Sequence, residues 1–250
     1  MKNRQQAIMD LVNQSGEVSI SQLREIFPNV SEVTLRKDLR SLDEAKKLVR
    51  IHGGAKSIQG IVGGDNNFSV RKQLHQEEKS LIGRKAASLI VPGASVYISS
   101  GTTCTELAKA LPAVPLYLFT DGVMVGVEVP PHPDIQVEFL GGVLNRNLMR
   151  LQGPAVISAM QELRFDISFI GTPGFHPNYG FACTTPMIAA TLSKAIEQSE
   201  KTAILMDSSK VNYMHTPRNI PLRAIDYVIS DGDLPAEIVQ LMEENGITVL

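Results

Sequence analysis

Apolar positions recur at helical spacing through roughly the first sixty residues, and then the rhythm changes. Ile8, Leu11 and Val12 share one helical face in the first segment, which Ser15-Gly16 stops. Val18-Ser19-Ile20 is a brief extended piece. Ser21 is placed to cap a second helix running to Phe27, with Leu23, Ile26 and Phe27 inward, and Pro28-Asn29 breaks it. Ser31 is placed to cap a third helix over SEVTLRKDLRSLDEAKK. There Leu35, Leu39 and Leu42 form the buried stripe, and Arg36, Lys37 and Arg40 lie off it. Leu48–His52 is extended and ends at Gly53-Gly54.

Beyond a stretch rich in glycine and polar residues (57–69, SIQGIVGGDNNFS), apolar strand-like runs alternate with helical segments. The runs are Ser95–Ser99, Leu116–Thr120, Ile135–Leu140, Ile167–Gly171, Thr202–Met206, Tyr227–Ser230 and Ile247–Leu250. The helical segments between them include Glu78–Ile90, Thr103–Leu111, Pro154–Leu163, Ile188–Ser199 and Pro235–Asn245. Buried strands separated by helices predict a mostly parallel sheet with helices on both faces. The expected architecture is therefore an N-terminal winged helix-turn-helix domain (1–56), a linker (57–69) and a C-terminal Rossmann-like α/β domain (70–250).

Charge sharpens this division. The chain has 250 residues, 43% hydrophobic and 20% charged, with a net charge of −2. Residues 1–60 hold ten Lys/Arg against seven Asp/Glu, whereas the remainder holds fourteen against nineteen. A mildly basic first quarter on an acidic remainder suggests two modules with different partners. The two cysteines, Cys104 and Cys183, read as free thiols of a reducing compartment. MKNRQQAIMDLVNQ lacks the apolar core of a signal peptide, and no run approaches the ~18 apolar residues of a membrane span. A cytoplasmic location with no membrane partner is expected. His52, His75, His132, His176 and His215 have no metal spacing, so neither metal nor cofactor is expected. No G-x-S-x-G elbow surrounds Ser208-Ser209, which argues against a hydrolase.

A winged helix-turn-helix places its third helix in the DNA major groove, with basic side chains on bases and phosphates. Thr34, Arg36, Lys37 and Arg40 are the available donors on that helix, and the wing would present Arg50 and His52. Arg36 can read a guanine bidentately, while Lys37 and Arg40 suit phosphates. A solvated face on a dimerisation domain is the alternative reading of the same periodicity.

The residues go further than periodicity. SEVTLRKDLRSL followed by LVRIHGGA resembles the DeoR family of bacterial transcription regulators, whose usual pattern is S-x-x-T-[IL]-R-[RK]-D-L-x-x-L and then R-x-H-G-G-A. Ser31, Thr34, Arg36, Lys37, Asp38, Leu39, Leu42, Arg50, His52, Gly53, Gly54 and Ala55 match position by position. The resemblance implies binding to a double-stranded DNA operator, with Ser31 among the contacting residues. Asp38 is expected to be structural, paired with a neighbouring arginine or a backbone donor. The turn FPNVS is one residue longer than the common form, and Ala45-Lys46-Lys47 stands where glycine usually ends the helix.

In the second module three small-residue loops fall at strand carboxyl ends, where open parallel sheets bind ligands: Ser99–Thr103, Thr120-Asp121-Gly122 and Gly141-Gly142. Gly101 allows close backbone approach, and Thr102 and Thr103 offer hydroxyls and N–H groups at a helix start. Lys210 follows another strand and can neutralise a phosphate. An ordinary helix cap is the bland reading of SGTT alone. The resemblance continues through Val70-Arg-Lys, Glu78-Lys79, SGTT, Leu140-Gly-Gly142, Phe169-Ile-Gly171 and Asp207-Ser-Ser-Lys210, all similar to landmarks of the DeoR sensor domain. That domain is similar to sugar-phosphate isomerases, which implies a sugar phosphate or sugar-derived effector. The implied effector-binding set is Ser99, Ser100, Gly101, Thr102, Thr103, Thr120, Asp121, Gly141, Gly142, Gly171 and Lys210.

Catalysis is not expected, and no catalytic residue is assigned. Ser99 stands where relatives often place Asp, Pro173 where the turn is often acidic, and Ala190 and Leu192 where Glu and Lys are common. Asp121 replaces the usual Asn and adds a carboxylate close to the expected anion. Two consequences stay open: an effector less charged than a sugar phosphate, or lost effector affinity. The sequence thus predicts a regulator, a repressor of carbohydrate metabolism genes, acting as a homo-oligomer (dimer or tetramer). The alternatives are an isomerase-like enzyme fused to a DNA-binding domain and a regulator without a small-molecule effector.

Overall fold

The computed structural model describes residues 2–45, 47–51, 53–57, 68–212 and 219–250. It separates into two compact units, Met1–Gly64 and Asp65–Leu250.

In the first unit α1 (Lys2–Ser15), α2 (Ile20–Ile26) and α3 (Glu32–Glu44) pack around Ile8, Val12, Leu23, Leu35, Leu39 and Leu42. Strands β1 (Glu17–Ser19), β2 (Leu48–Ile51) and β3 (Gly54–Ser57) form an antiparallel sheet in the order β1-β3-β2, which makes the wing. Ser31 caps α3 as expected, its Oγ accepting the Thr34 N–H. The expected cap of α2 is corrected: Ser19, not Ser21, holds that position. Its side chain takes the Gln22 N–H while Gln22 Oε1 takes the Ser19 N–H, a reciprocal box that satisfies two donors left over at the helix start. Asp38 is buried and accepts from Arg4 Nε at 2.6 Å and Gln5 Nε2 at 3.2 Å, which fixes α3 against α1. At the other end of α3 the Lys47 N–H reaches the Leu42 carbonyl at 2.9 Å; Lys46 lies outside the described residues.

The second unit opens with α4 (Phe68–Gln73) and α5 (Gln76–Ala87). Phe68 and Ser69, placed in the linker on composition, are helical; the rest of that stretch beyond Ser57 lies outside the described residues. Then follow β4 (Ser95–Ile98), α6 (Thr102–Lys109), β5 (Leu116–Thr120), α7 (Val123–Val127), β6 (Ile135–Phe139), β7 (Val143–Asn145), β8 (Arg150–Gln152) and α8 (Pro154–Met160). The chain continues through β9 (Phe165–Gly171), β10 (Phe175–His176), β11 (Gly180–Ala182), α9 (Pro186–Glu197), β12 (Ser199–Leu205), β13 (Asn219–Ile220), β14 (Tyr227–Ile229), α10 (Ala236–Glu244) and β15 (Thr248–Val249).

Seven of these strands make one sheet, ordered β15-β14-β12-β9-β4-β5-β6, and every pairing in it is parallel. Helices α5, α6 and α7 cover one face through Ile82, Ala86, Leu107 and Val125. Helices α8, α9 and α10 cover the other through Val156, Met160, Ile188, Leu192, Ile238 and Met242. Close contact of α5 with α6 depends on Gly83, where a Cβ would stand 2.7 Å from the Glu106 carbonyl carbon. Beside the main sheet lie the β7–β8 hairpin and a small antiparallel sheet of β10, β11 and β13.

The strand order decides where a site can form. From β4 the chain runs outward through β5 and β6, then returns to place β9 on the other flank of β4. The order therefore reverses between β4 and β9, and the crevice at the carboxyl ends of strands flanking such a reversal is where open α/β sheets bind ligands. The loops after β4, β5, β9 and β12 all emerge at that edge.

Candidate DNA-binding surface and effector crevice

On α3 the buried stripe turns Val33, Arg36, Lys37 and Arg40 to solvent. Arg36 lies along its own helix, donating from Nε at 2.9 Å and Nη2 at 2.8 Å to Glu32 Oε1. An exposed pair of this kind is worth only about 0.3–0.5 kcal/mol, so a base can displace Glu32 at little cost. Ser31 and Thr34 face each other, with hydroxyls 2.9 Å apart, so capping already occupies part of their hydrogen-bonding capacity. Arg50 is exposed on β2, its N–H held by Asp43 Oδ1 at 3.2 Å. His52 lies outside the described residues. The periodicity reading passed over Val33, which is 78% exposed in the first turn of α3, where an apolar side chain can meet a thymine methyl.

In the second unit the Ser99–Thr103 loop sits where the strand order reverses. Ser99 is buried and works inward: its Oγ accepts the Gly171 N–H at 3.2 Å and lies 3.5 Å from Cys104 Sγ. It stitches the end of β4 to the end of β9, which explains a small hydroxyl residue there. Gly101 precedes α6 without any side-chain cap. The first N–H groups of α6, at Thr102 and Thr103, therefore have no acceptor within the helix, and the helix dipole adds a partial positive charge.

Asp121 differs from its expected placement. It is fully buried, and both carboxylate oxygens have protein partners: Oδ1 accepts the Ser100 N–H at 2.8 Å, and Oδ2 accepts Arg150 Nε at 2.6 Å. The carboxylate is neutralised from within by a cation 29 positions later, and it shapes the anion loop from behind. Thr120 is likewise internal, donating to the Ile98 carbonyl at 2.6 Å and accepting the Gly122 N–H at 2.9 Å. Gly141 and Gly142 are exposed after edge strand β6, two strands away from β4, or roughly 10 Å at the usual strand spacing. Gly142 has its own structural reason: with φ +97°, its Cβ would stand 2.8 Å from the Gln152 carbonyl oxygen. This glycine pair is a turn under the β7–β8 hairpin, set apart from the loop at β4.

The cationic side of the crevice is richer than Lys210 alone. Lys79 of α5 is buried, and burial, followed by repulsion from Lys210, lowers its ammonium to about 8. Lys210, in the turn after β12, is also lowered, first by burial; Asp207 opposes this and Arg71 adds to it. Arg71 of α4 is lowered by burial and then by Arg150, and its Nε is buried without a partner among the described residues. Three cations from three separate elements thus feel one another at this edge of the sheet. The buried carboxylate of Asp207 attracts Lys79 and Lys210, and Glu106 attracts Lys79; Ser209 Oγ donates to Asp207 Oδ1, and Asp207 Oδ2 is a buried oxygen without a partner among the described residues. Val70-Arg-Lys and Glu78-Lys79 were visible only as family landmarks, and Arg150 gave no signal in the sequence. Cys104 and Cys183 are buried, and burial raises each thiol to about 11, well away from a reactive thiolate.

Comparison with known proteins finds a family for each of the two units. The family model described as a DeoR-like helix-turn-helix domain matches residues 4–60, and the one described as a DeoR C terminal sensor domain matches residues 74–232. The chain belongs to the DeoR family. It is a transcriptional regulator with a DNA-binding helix-turn-helix and a sensor domain. Among its relatives, the uncharacterized HTH-type transcriptional regulator YulB of Bacillus subtilis (strain 168) is 29% identical over 98% of this chain and 95% of its own length. The HTH-type transcriptional repressor GlcR of the same organism is 29% identical over 98% and 93%. The L-fucose operon activator of Escherichia coli (strain K12) is 30% identical over 91% and 94%. The solved structure of ribose 5-phosphate isomerase A from Methanocaldococcus jannaschii is 14% identical, covers 54% of each chain and has a TM-score of 0.39. No helix among the described residues is long and apolar enough to cross a membrane.

Proposed function

We propose that this DeoR-family regulator represses carbohydrate metabolism genes and is controlled by an anionic sugar metabolite, a sugar phosphate or a close derivative. The metabolite is held at the Ser99–Thr103 loop. The observation that carries the reading is the meeting of an uncapped helix start with Arg71, Lys79 and Lys210 where the strand order reverses. Such an arrangement is unfavourable when empty, because like charges are gathered in a partly dry place, and favourable when an anion enters. Asp121 is no obstacle, because Arg150 already neutralises it. The L-fucose operon activator among its relatives supports the link to sugar metabolism, and the repressor GlcR supports the sign of regulation. In this reading residues 1–56 bind a double-stranded operator through Thr34, Arg36, Lys37, Arg40 and Arg50, with Ser31 as cap, and residues 70–250 sense the effector. Two-fold operators call for two copies of the reading helix, hence a homo-oligomer, a dimer or tetramer. A cytoplasmic protein without catalytic turnover completes the reading.

A thermal-shift panel tests it. Phosphorylated sugars are expected to raise the melting temperature and their neutral parent sugars to leave it unchanged. Stabilisation by neutral sugars or polyols alone would contradict the anion site.

The lowered Lys79 gives a second check with a defined sign. Its folded value, about 8, lies below the ordinary 10.5, so the cost of burying its charge is present at neutral pH and disappears as pH rises from 8 to 10.5. A bound anion reverses this by favouring the charged form. Phosphate binding at pH 8.5 is therefore expected to take up a proton, since phosphate itself is already a dianion there. Calorimetry in two buffers of different ionisation enthalpy measures the uptake, and affinity should fall as pH rises through 8. Binding with no buffer dependence would remove Lys79 from the site.

A further inference from the structure

The first described helix after residues 58–67 is attached to the crevice at each end and in its middle. At its start the Phe68 N–H donates to the Asn147 carbonyl at 2.7 Å, in the turn of the β7–β8 hairpin. The next carbonyl in that turn, Leu148, accepts the Ser100 hydroxyl at 3.3 Å, so one turn touches both the root of α4 and the anion loop. At its far end the buried Lys79 ammonium donates to the Arg71 carbonyl at 2.6 Å and to the Leu74 carbonyl. Lysine thereby serves carbonyls at the helix end, of which that of Arg71 also accepts the Leu74 N–H at 3.3 Å. In the middle Arg71 carries a buried Nε with no partner among the described residues, and α4 packs on α6, the helix that the anion loop opens.

We propose that Arg71 is an effector-binding residue that couples occupancy of the crevice to the docking of α4, the root of the chain leading to the DNA-binding unit. The proposal rests on the reading of the crevice as an anion site. Without an anion, Lys79, the only cation among the described residues that reaches the α4 carbonyls, is repelled by Arg71 and Lys210 against the attraction of Asp207 and Glu106, and Arg71 Nε has no acceptor among the described residues. An anion lowers the repulsion and supplies the acceptor. Both changes favour the docked helix over the undocked one, which is what a ligand must do to shift a two-state element. α4 is short and has one buried apolar anchor, Phe68, so its docking rests on these polar attachments.

The test is hydrogen–deuterium exchange on the full chain with and without saturating inorganic phosphate, read on peptides covering residues 68–75, with calorimetry of the same samples reporting binding. Phosphate is expected to slow exchange in α4 roughly fivefold or more in the unaltered protein. In Arg71→Lys, which keeps the charge and loses the Nε donor, phosphate is expected to bind more weakly, and at saturation α4 should gain little protection. Arg71→Ala should behave the same way; if it fails to fold, Arg71→Lys carries the test. If phosphate binds and α4 exchange is unmoved, the coupling is wrong and the anion site stands. If phosphate does not bind at all, the anion site fails and this inference with it. Full protection in Arg71→Lys would overturn the role of Arg71.

Discussion

Replacing Asp121 with alanine is expected to destabilise the sensor unit by about 3–5 kcal/mol, because it leaves the Arg150 guanidinium buried without its counter-charge. Arg150 is 7% exposed in its side chain, and its Nη2 already has no partner among the described residues. The Tyr97 hydroxyl nearby is also buried without one. The same change frees the Ser100 N–H that Asp121 holds, so the anion loop loses its support from behind. In a unit of this size the loss corresponds to roughly 6–20 °C in melting temperature. A double replacement, Asp121→Leu with Arg150→Met, is expected to recover most of it, since removing both charges removes the unpaired one. Thermal melting of Asp121→Leu, Arg150→Met and the double variant closes the cycle. A loss below about 1 kcal/mol for Asp121→Ala would show that the ion pair is dispensable and that the loop is positioned otherwise.

Arg36→Ala is expected to weaken operator binding by about 5- to 150-fold, the worth of one bidentate contact to a guanine, roughly 1–3 kcal/mol. The fold should survive, because Arg36 is exposed and its only described ion pair is with Glu32 on the same helix. Lys37→Ala should behave differently, weakening binding to every duplex alike and lowering the slope of log affinity on log salt by about 1. Anisotropy titrations at several salt concentrations separate the two. Unchanged affinity in Arg36→Ala, with melting intact, would mean that α3 is not the reading helix.

What was legible in the sequence was local. Leu35, Leu39 and Leu42 define the buried stripe of α3 because helical spacing brings them together wherever the helix lies, and Ser31 announces its start. The Ser99–Thr103 loop was legible for the same reason: strand, glycine and helix start are consecutive. Arg71, Lys79, Arg150 and Lys210 are separated by up to 139 positions and meet only because the strand order reverses at β4. No spacing encodes that meeting. The misplacement of Asp121 has the same origin. Read locally, it is a carboxylate beside an anion loop; its neutralising arginine arrives from the β7–β8 hairpin. That hairpin and the sheet of β10, β11 and β13 have strands of two or three residues, too short for periodicity to register. Ser21 was read as the cap of α2, but Ser19 is the serine with Gln22 three positions on to close the box.

The central claim is that this chain reads DNA and that an anionic metabolite changes the reading. The most direct test is the affinity of the full chain for a duplex from the region upstream of its own gene, measured against a scrambled duplex at one salt concentration. The titration is repeated with phosphorylated sugars and with their unphosphorylated parents. The account predicts a preference of about 10³ or more for the upstream duplex, weakened at least tenfold by a phosphorylated sugar and untouched by its neutral parent. Equal affinity for the two duplexes, unmoved by every phosphorylated sugar, would contradict it.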